Sequence, residues 1–515
     1  MQGRWLKPFR AAAACVVLVG LFAAFADFRG MVPASVAHSL ASIQFVPSMV
    51  ALLTGSSLAI AGLVILVATL VAGRIYCSVV CPLGVLQDVI ARLARWLPGK
   101  RKGLRYSTGH RRWQWVFLGA GLAGVLAGWA GFTLSLLDPY SIFGRIVFGL
   151  FRPLVTLINN SLVRIGNACG VDSIYRVDPQ WVGAGALALP ALMLVLVVVL
   201  AAWRGRLYCN TACPVGTLLG FLSSRGLWRL GVDQSACRKC GDCLRVCKSQ
   251  CIDLRSGAID FSRCVACFNC VGACREHAIG YRFGWSKTPG PRPAPKAPDW
   301  QRRKFLADGA GFAGALGTGI WVGKAGGGKM SRAIAPPGAA GVERFLNRCT
   351  ACQLCISACP THVLQPAVFE YGLTGLMKPR LDYSHSFCNF ECIQCGKICP
   401  DGAITLLDLA VKKITRIGRA KLDLEKCVVK TKGTDCAACS EHCPTKAVDT
   451  IPFGNNLRLP KVDETLCIGC GACEYACPVK PTKAITVAGI SLHERAEKRI
   501  EGAVQKPKTN GDFPF

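Results

Sequence analysis

Cysteine is the residue that most constrains how this chain can fold. The chain has 515 residues, of which 31 are cysteines, and most of them fall into tight runs of the pattern C-x2-C-x2-C-x3-C. Such runs are typical of [4Fe–4S] ligation, in which three cysteines of a run bind one cluster and the fourth binds its neighbour. Four-cysteine zinc sites also use C-x2-C pairs, and exported cysteine-rich chains often form disulfides. The third closely spaced cysteine favours iron–sulfur clusters over both alternatives.

Two runs near the middle of the chain predict a ferredoxin-like module with two clusters. Run 1 is CRKCGDCLRVC (237–247) and run 2 is CVACFNCVGAC (264–274). The expected ligands of one cluster are Cys237, Cys240, Cys243 and Cys274, and those of the other are Cys264, Cys267, Cys270 and Cys247. Lys248 and Arg275 stand where proline usually follows the fourth cysteine, and Cys251 offers a competing sulfur.

Four further runs, runs 3 to 6 in chain order, all end in Cys-Pro. Their expected ligands are Cys349, Cys352, Cys355 and Cys359; Cys388, Cys392, Cys395 and Cys399; Cys427, Cys436, Cys439 and Cys443; and Cys467, Cys470, Cys473 and Cys477. Each run predicts one cluster, so the chain predicts six [4Fe–4S] clusters with these 24 cysteines as iron ligands. The last four runs can pair in space as neighbours, or in nested order, first with fourth and second with third.

Four more cysteines belong to an internal repeat. GRIYCSVVCPLGVLQ (73–87) and GRLYCNTACPVGTLL (205–219) share the pattern G-R-[I/L]-Y-C-x3-C-P. A C-x3-C pair at a helix end places both sulfurs on one side of the helix. Cys77, Cys81, Cys209 and Cys213 are therefore metal or cluster ligands, redox-active thiols beside a quinone site, or structural cysteines. Their occurrence in two copies with the same neighbours favours a function.

Apolar stretches predict a membrane protein. The stretches 11–26, 49–72, 116–137 and 181–203 are each long enough to cross a bilayer, which takes about 20 residues. The net charge of +31 does not indicate nucleic-acid binding, because the basic residues flank apolar stretches and no groove-reading motif accompanies them. Lysine and arginine at the N-terminus, between the second and third stretches, and after the fourth predict that these regions are cytoplasmic.

An unusual segment separates the first two runs from the last four. QRRKFLADGAGFAG (301–314) has the arginine pair and the mild apolar run of a twin-arginine export signal, and it follows the Pro-rich TPGPRPAPKAPDW (288–300). We expect it to form an uncut fifth crossing that places residues after 335 outside. The alternative is a linker helix that leaves all six clusters in the cytoplasm.

The motifs resemble two known families. Residues 1–285, with two C-x3-C-P motifs and runs 1 and 2, resemble NapH, a membrane component of periplasmic nitrate reductase systems. Residues 300–515, with the twin-arginine segment and runs 3 to 6, resemble NapG, and MauN and MauM are similar to the same halves. The resemblance implies quinol dehydrogenation and electron delivery to a periplasmic acceptor, and related four-cluster subunits favour nested pairing of runs 3 to 6. The fusion of the two halves departs from these families.

These observations predict an α-helical membrane bundle of four to five spans with two α+β ferredoxin-like iron–sulfur modules, in a bacterial inner membrane. The expected parts are a four-span domain with the first C-x3-C-P motif (1–205), the second motif and a cytoplasmic two-cluster module (206–285), a linker with the twin-arginine segment (286–335), and a periplasmic four-cluster module (336–515).

The expected function is electron transfer from membrane quinol to a periplasmic c-type cytochrome or reductase, as a quinol dehydrogenase-like component rather than a stand-alone enzyme. The four C-x3-C-P thiols are the candidate site where electrons enter. Asp138, Tyr140 and His38 are candidate proton acceptors, although Asp138 fits a helix-end role equally well. The alternative is a metal-handling or maturation protein whose C-x3-C-P thiols bind or reduce copper.

Overall fold

The computed structural model describes most of the chain in ten segments. They are residues 5–53, 59–96, 106–107, 109, 111–126, 130–170, 175–180, 182–283, 333–454 and 457–498. The Pro-rich segment 288–300, which we call the tether, and the twin-arginine segment 301–314 with its predicted fifth crossing lie outside these described residues. Three parts are visible, which we call the helical domain (5–223), the first module (228–283) and the second module (333–498).

The helical domain contains twelve α-helices in its described part. They are α1 Leu6–Ala26, α2 Ala34–Ser42, α3 Phe45–Leu53, α4 Ala59–Ala72, α5 Tyr76–Val79, α6 Pro82–Leu93, α7 Arg111–Leu126, α8 Ala130–Leu137, α9 Pro139–Ile146, α10 Arg152–Ala168, α11 Ala184–Arg204 and α12 Pro214–Ser223. A π-helical turn, Val147–Phe151, joins α9 to α10. Proline opens α6, α9 and α12, where its missing N–H removes no helical hydrogen bond.

Two of the four stretches predicted to cross the membrane are not single straight helices. The stretch 49–72 divides into α3 and α4, and a Cβ added at Gly62 would lie 2.5 Å from Met49 Cε. Thirteen residues of straight helix rise about 20 Å, so α3 and α4 are two helices packed against each other and not one straight helix. Gly124 of α7 lies in the same way against the Thr133 side chain of α8.

Three helices of the described chain are long and apolar enough to cross a membrane. They are Leu6–Ala26, Pro139–Ala168 and Ala184–Arg204, and the bent pair Ala34–Ser42 with Phe45–Leu52 makes up to four. The first and third correspond to the predicted stretches 11–26 and 181–203. The helical domain is therefore membrane-associated, although the helices that are long enough to span only partly coincide with those expected.

The first module is a small α+β unit built around runs 1 and 2. Its elements are β1 Trp228–Val232, α13 Asp242–Arg245, β2 Ile252–Asp253, β3 Ala258–Ile259, α14 Asn269–Ala273 and β4 Ile279–Phe283. β1 pairs antiparallel with β4, from Trp228 opposite Phe283 to Val232 opposite Ile279, and β2 pairs antiparallel with β3. The chain thus begins and ends the module in one two-stranded sheet, with both cysteine runs between the strands.

The second module contains runs 3 to 6 among short helices and hairpins. Its elements are α15 Val342–Arg348, α16 Leu354–Ser357, β5 Leu364–Pro366, β6 Pro379–Leu381, α17 Gln394–Ile398, α18 Leu409–Lys413, β7 Thr415–Leu422, α19 Val428–Lys432, α20 Ala438–Glu441, β8 Val448–Phe453, β9 Leu457–Val462, α21 Ala472–Ala476 and β10 Ile485–Arg495. The pairs β5–β6, β7–β10 and β8–β9 are all antiparallel. Runs 3 and 4 share a buried core with the helical domain, whereas runs 5 and 6 have a core of their own.

Helix α1 connects the two modules through its opposite ends. At its N-terminus Leu6 packs against the core of the first module. At its C-terminus the Ser357 hydroxyl of the second module donates a 2.8 Å hydrogen bond to the Phe25 carbonyl. The 21 residues of α1 rise about 30 Å between these contacts, which is the thickness of a bilayer's hydrocarbon core.

Candidate metal centres

The first module gathers its cysteines into two groups around separate cavities. One cavity is lined by Cys237, Cys240, Cys243 and Cys274. The other is lined by Cys247, Cys264, Cys267 and Cys270, and also by Cys251. Each group takes three sulfurs from one run and the fourth from the other run. Cys251 Sγ lies 3.6 Å from Cys247 Sγ, so the extra sulfur stands inside the second group.

In the second module, neighbouring runs exchange their fourth cysteines. Cys399 of run 4 interacts electrostatically with Cys349, Cys352 and Cys355 of run 3. Cys359 of run 3 interacts in the same way with Cys388 and Cys395 of run 4. We call Cys349, Cys352, Cys355 and Cys399 group A, and Cys388, Cys392, Cys395 and Cys359 group B.

Runs 5 and 6 repeat the exchange. Cys477 interacts with Cys439 of run 5, and Cys443 interacts with Cys467 and Cys473 of run 6. We call Cys467, Cys470, Cys473 and Cys443 group C, and Cys427, Cys436, Cys439 and Cys477 group D. The expectation of nested pairing is therefore wrong. The hairpin β5–β6 returns the chain between runs 3 and 4, and the hairpin β8–β9 does so between runs 5 and 6, so neighbouring runs meet.

The four groups follow one another in space from the helical domain outward. The Cys352 carbonyl of group A packs directly on Gly144 of α9. Cys355 of group A interacts with Cys395 of group B. The backbone N–H of Cys388 in group B donates a 3.0 Å hydrogen bond to the Cys470 carbonyl of group C. Cys473 of group C interacts with Cys439 of group D, which completes the order A, B, C, D.

The chemistry of these groups fits iron–sulfur ligation. Each offers four thiols, and backbone N–H groups point at several sulfurs, as from Ala351 to Cys349 at 3.4 Å, from Ile404 to Cys399 at 3.5 Å and from Ala447 to Cys443 at 3.2 Å. Within the described residues, no group of three or more His, Cys, Asp or Glu side chains forms a site for a single metal ion. The four-cysteine composition of each group and the backbone donors that point at sulfur fit [4Fe–4S] ligation.

The C-x3-C-P cysteines of the two repeats come together in the helical domain. Cys77, Cys81, Cys209 and Cys213, which we call the thiol quartet, are all buried. Cys81 interacts electrostatically with the other three. The Gln87 amide donates to Cys209 Sγ at 3.2 Å, and the Gly216 N–H donates to Cys213 Sγ at 3.3 Å. The repeat thus builds one four-sulfur site from two distant segments of sequence.

Each repeat places its arginine against the other repeat. Arg206 donates a 2.7 Å hydrogen bond to the Cys77 carbonyl, and Arg74 lies 3.0 Å from where a Cβ at Gly216 would stand. Arg74 also donates to Cys77 Sγ at 3.8 Å and to the Ser262 carbonyl at 2.9 Å. The sequence analysis assigned no role to these arginines. Both repeats carry an arginine directly after their first glycine, and this recurrence could have indicated a shared role.

A buried charge network attaches the quartet to the first module. Asp88 of α6 pairs with Arg206 at 2.6 Å and with Lys248 at 2.7 Å. Burial by itself raises the pKa of Asp88, but the charges and hydrogen bonds of Arg206 and Lys248 outweigh it and lower that pKa. The Arg206 N–H also donates to the Lys248 carbonyl at 3.3 Å, next to the cysteine Cys247. Lys248, which stands where ferredoxins carry proline, therefore docks the first module.

Replacing Asp88 with asparagine is expected to destabilise the protein by about 3–5 kcal/mol, because Arg206 would remain buried without a counter-charge. The Arg206 side chain has no exposed surface. The midpoint of thermal unfolding in detergent measures the effect. Asp435→Asn is the matched control, since Asp435 pairs with Arg458 at 2.7 Å on the surface and should change the midpoint little. Equal midpoints for the two variants would contradict a buried network.

The candidate proton acceptors occupy different environments. Asp138 caps α9, and its carboxylate accepts hydrogen bonds from the Tyr140 N–H at 3.2 Å, the Ser141 N–H at 2.9 Å and the Ser141 hydroxyl at 2.6 Å. Asp138 thus has the helix-end role that the sequence allowed as an alternative to proton transfer. Among the described residues, Nδ1 of His38 is buried without a hydrogen-bond partner, and the hydroxyl of Tyr140 is buried beside Cys352. Asp401 of the second module accepts from Thr350, and burial raises the pKa of Asp401 to about 7.

Comparison with known proteins connects these groups to iron–sulfur proteins. A family model described as a 4Fe-4S binding domain matches residues 53–103 and 186–231, and a second with the same description matches residues 460–483. The chain is 36% identical over 212 residues to the ferredoxin-type protein NapG of Escherichia coli (strain K12), covering 37% of this chain and 87% of that protein.

Two further relatives extend the comparison. The ferredoxin-type protein NapF of Escherichia coli (strain K12) is 28% identical over 165 residues, which are 32% of this chain and 90% of the relative. The methylamine utilization ferredoxin-type protein MauM of Methylorubrum extorquens is 33% identical over 157 residues, which are 28% of this chain and 69% of the relative. No solved structure matches the chain.

Proposed function

Because the chain belongs to the family of NapG-type ferredoxin-type proteins, we propose that it carries electrons from membrane quinol to a periplasmic reductase chain. In this function the bound [4Fe–4S] clusters supply one-electron carriers. Quinol releases two electrons and two protons as it becomes quinone, and the protons leave to water on the outer side. The final acceptor is a periplasmic c-type cytochrome or the reductase itself.

The order of the cysteine groups carries this proposal. Group A adjoins the buried core of the helical domain, and groups B, C and D follow in single file toward the far end of the second module. A binding module for a soluble ligand has no need of four cysteine groups in series. An electron carrier does, because electron transfer requires closely spaced centres between donor and acceptor.

The geometry of α1 supports placing the two modules on opposite sides of the membrane. The first module adjoins the end of α1 at Leu6, and the second adjoins the end at Phe25. Lys7 and Arg10 lie at the first of these ends, and the excess of basic residues in cytoplasmic segments makes that end the cytoplasmic one. The second module is then periplasmic, where an external reductase is within reach.

The thiol quartet has a second candidate role, as ligands of a further cluster. Four buried thiols converge between the modules, and the residues that match the 4Fe-4S binding model contain both C-x3-C-P motifs. Arg74 supplies a further reason, since its guanidinium is buried and the hydrogen bonds described for it go to a carbonyl and a sulfur rather than to a carboxylate. A buried cation needs a compensating negative charge, and four thiolates on a cluster provide one.

Iron analysis separates the two roles of the quartet. Six clusters account for about 24 iron atoms per chain and a seventh for about 28, at four per cluster. We expect about 28 in anaerobically purified protein and about 24 in the double variant Cys81→Ser/Cys213→Ser. The same content near 24 in both proteins would show that the quartet sulfurs are free thiols. Zinc in place of iron would contradict cluster ligation altogether.

Reduction by quinol tests the function itself. The purified protein is held anaerobically in lipid nanodiscs, and its visible absorbance is followed after addition of a quinol analogue and then of dithionite. Bleaching by the quinol analogue is the expected result. Bleaching by dithionite alone would show that quinol is not the donor. A different result would support the metal-handling alternative: protein that quinol does not reduce and that binds one equivalent of copper at the thiol quartet.

A further inference from the structure

A cavity of about 380 Å³ lies where the helical domain meets the second module. One wall comes from the end of α1 and the start of α2, and the other from the segment that follows α16. Arg152 of α10 closes one side. Ligand sites for small organic molecules typically have volumes of about 300–1,000 Å³, so the cavity has room for one aromatic ring with a short substituent.

The lining of the cavity is mixed, with apolar and polar groups in nearly equal measure. Its apolar surface comes from Phe28, Val32, Ala34 and Ala37, and its charged side chains and its histidine are Asp27, Arg29, Arg152 and His362. Such a mixed surface suits a flat ring that carries hydroxyl groups. The exposed side chains of Met31 and Val36 stand beside the same segment and extend its apolar character outward.

The polar groups have contrasting hydrogen-bond states. The Asp27 carboxylate accepts hydrogen bonds from the N–H groups of Arg29 at 3.0 Å and Val32 at 2.8 Å, which fix its position. Within the described residues, Nδ1 of His362 is buried and has no hydrogen-bond partner. Buried polar atoms without partners are rare in folded proteins. A ligand hydroxyl in the cavity would supply the missing partner for His362.

The cavity also adjoins a cysteine group. Cys359 lines it, together with its neighbours Ala358 and Pro360. Cys359 is the sulfur that run 3 contributes to group B. A ring bound here would therefore lie beside the ligand shell of the second group in the A-to-D series.

We propose that this cavity binds the ring of the membrane quinol, with His362 hydrogen-bonded to one ring hydroxyl and the apolar tail directed past Met31. This inference rests on the proposed function, because it names the site of that quinol. It places the donor at the junction of the helical domain and the second module, about 30 Å along α1 from the first module.

A second cavity of about 450 Å³ provides the internal comparison. It lies at the opposite end of α1, beside the first module, and basic side chains dominate its polar lining. They are Lys7, Arg10, Arg92, Arg95 and Lys248. None of the 24 run cysteines lines it. Its five basic side chains, against two arginines in the junction cavity, suit an anionic headgroup rather than a neutral quinol.

Photolabelling with a radioactive azidoquinone tests the site on the full chain in nanodiscs. We expect the label in peptides that contain residues 27–37 or 357–362, and we expect unlabelled quinone, but not phospholipid, to compete. Label at residues 7–15 or 85–95 would overturn the proposal, as would equal competition by phospholipid.

Two matched substitutions fill one cavity each. Ala34 and Ala11 are both half-buried, and they line the junction cavity and the basic cavity respectively. Ala34→Phe should lower labelling to background, whereas Ala11→Phe should leave it unchanged. His362→Phe, which keeps a ring but has no hydrogen-bonding nitrogen, should lower labelling about tenfold, as expected for loss of one hydrogen bond to a buried group. Full labelling of folded Ala34→Phe protein, with its dithionite-reducible absorbance intact, would overturn the proposal.

Failure of the site and failure of the function give different results. If label maps to the cavity but the quinol analogue reduces nothing, the site stands and quinol oxidation is wrong. If quinol bleaches the protein while label maps elsewhere, quinol oxidation stands and this location is wrong.

Discussion

Serine in place of Cys359 is expected to abolish reduction of the protein by quinol, with bleaching falling to the level seen without quinol. Cys359 is the fourth sulfur of group B, and it also lines the cavity at the junction of the helical domain and the second module. Its loss removes a ligand next to the donor and interrupts the series between group A and group C. The iron content per chain should fall by about four atoms, which is the content of one [4Fe–4S] cluster.

Cys169→Ser is the control for this variant. Cys169 is exposed at the end of α10 and belongs to none of the cysteine groups, so its substitution should leave both quinol-driven bleaching and iron content unchanged. Dithionite should still bleach the remaining clusters of the Cys359→Ser protein. Bleaching by quinol at the parental rate in that protein would contradict the assignment of Cys359 to the donor side.

Replacing both Arg302 and Arg303 with lysine is expected to prevent export of the second module, although the substitution keeps the positive charge. The twin-arginine receptor reads the arginine pair itself, and in the proposed topology the second module, which covers the end of α1 at Phe25, lies outside. A reporter that is active only outside, fused at Phe515, should lose its activity in this variant. The same reporter fused at Phe283 should be silent in both proteins.

Another adjacent arginine pair provides the matched control. Arg111 and Arg112 open α7 in the helical domain, and lysine at both positions also conserves charge. This variant should keep an active reporter at Phe515. If the Arg302→Lys/Arg303→Lys protein keeps it as well, the segment 301–314 is not an export signal and the second module reaches its location by another route.

The sequence located all the cysteine groups and the exchange between runs 1 and 2, but it did not fix the pairing of runs 3 to 6. Spacing within a run identifies ligands, because three sulfurs close in sequence are close in space. Spacing between runs does not say which run contributes the fourth sulfur, and the pairing of Cys399 with run 3 depends on the β5–β6 hairpin. Nested pairing failed for that reason.

The long apolar stretches predicted membrane association, but they did not predict which helices are long enough to cross the membrane. The stretch 181–203 corresponds to the single helix α11, whereas 49–72 forms two helices packed against each other, a division that hydropathy does not mark. The sequence could not predict the junction cavity, because Asp27 and His362 are more than three hundred residues apart and neither belongs to a motif. Only the fold brings the two together.

The shared core between the helical domain and the second module has a consequence for how the two halves stay together. Phe345 and Ile356 of the second module have no exposed surface, so this contact has the character of a permanent interface rather than a transient one. In one chain, the tether turns docking into an intramolecular event with a high effective concentration. It also fixes one electron-delivering module to each membrane domain, whatever the amount of protein made. A pair of separate polypeptides would have to reach that ratio through affinity and balanced expression.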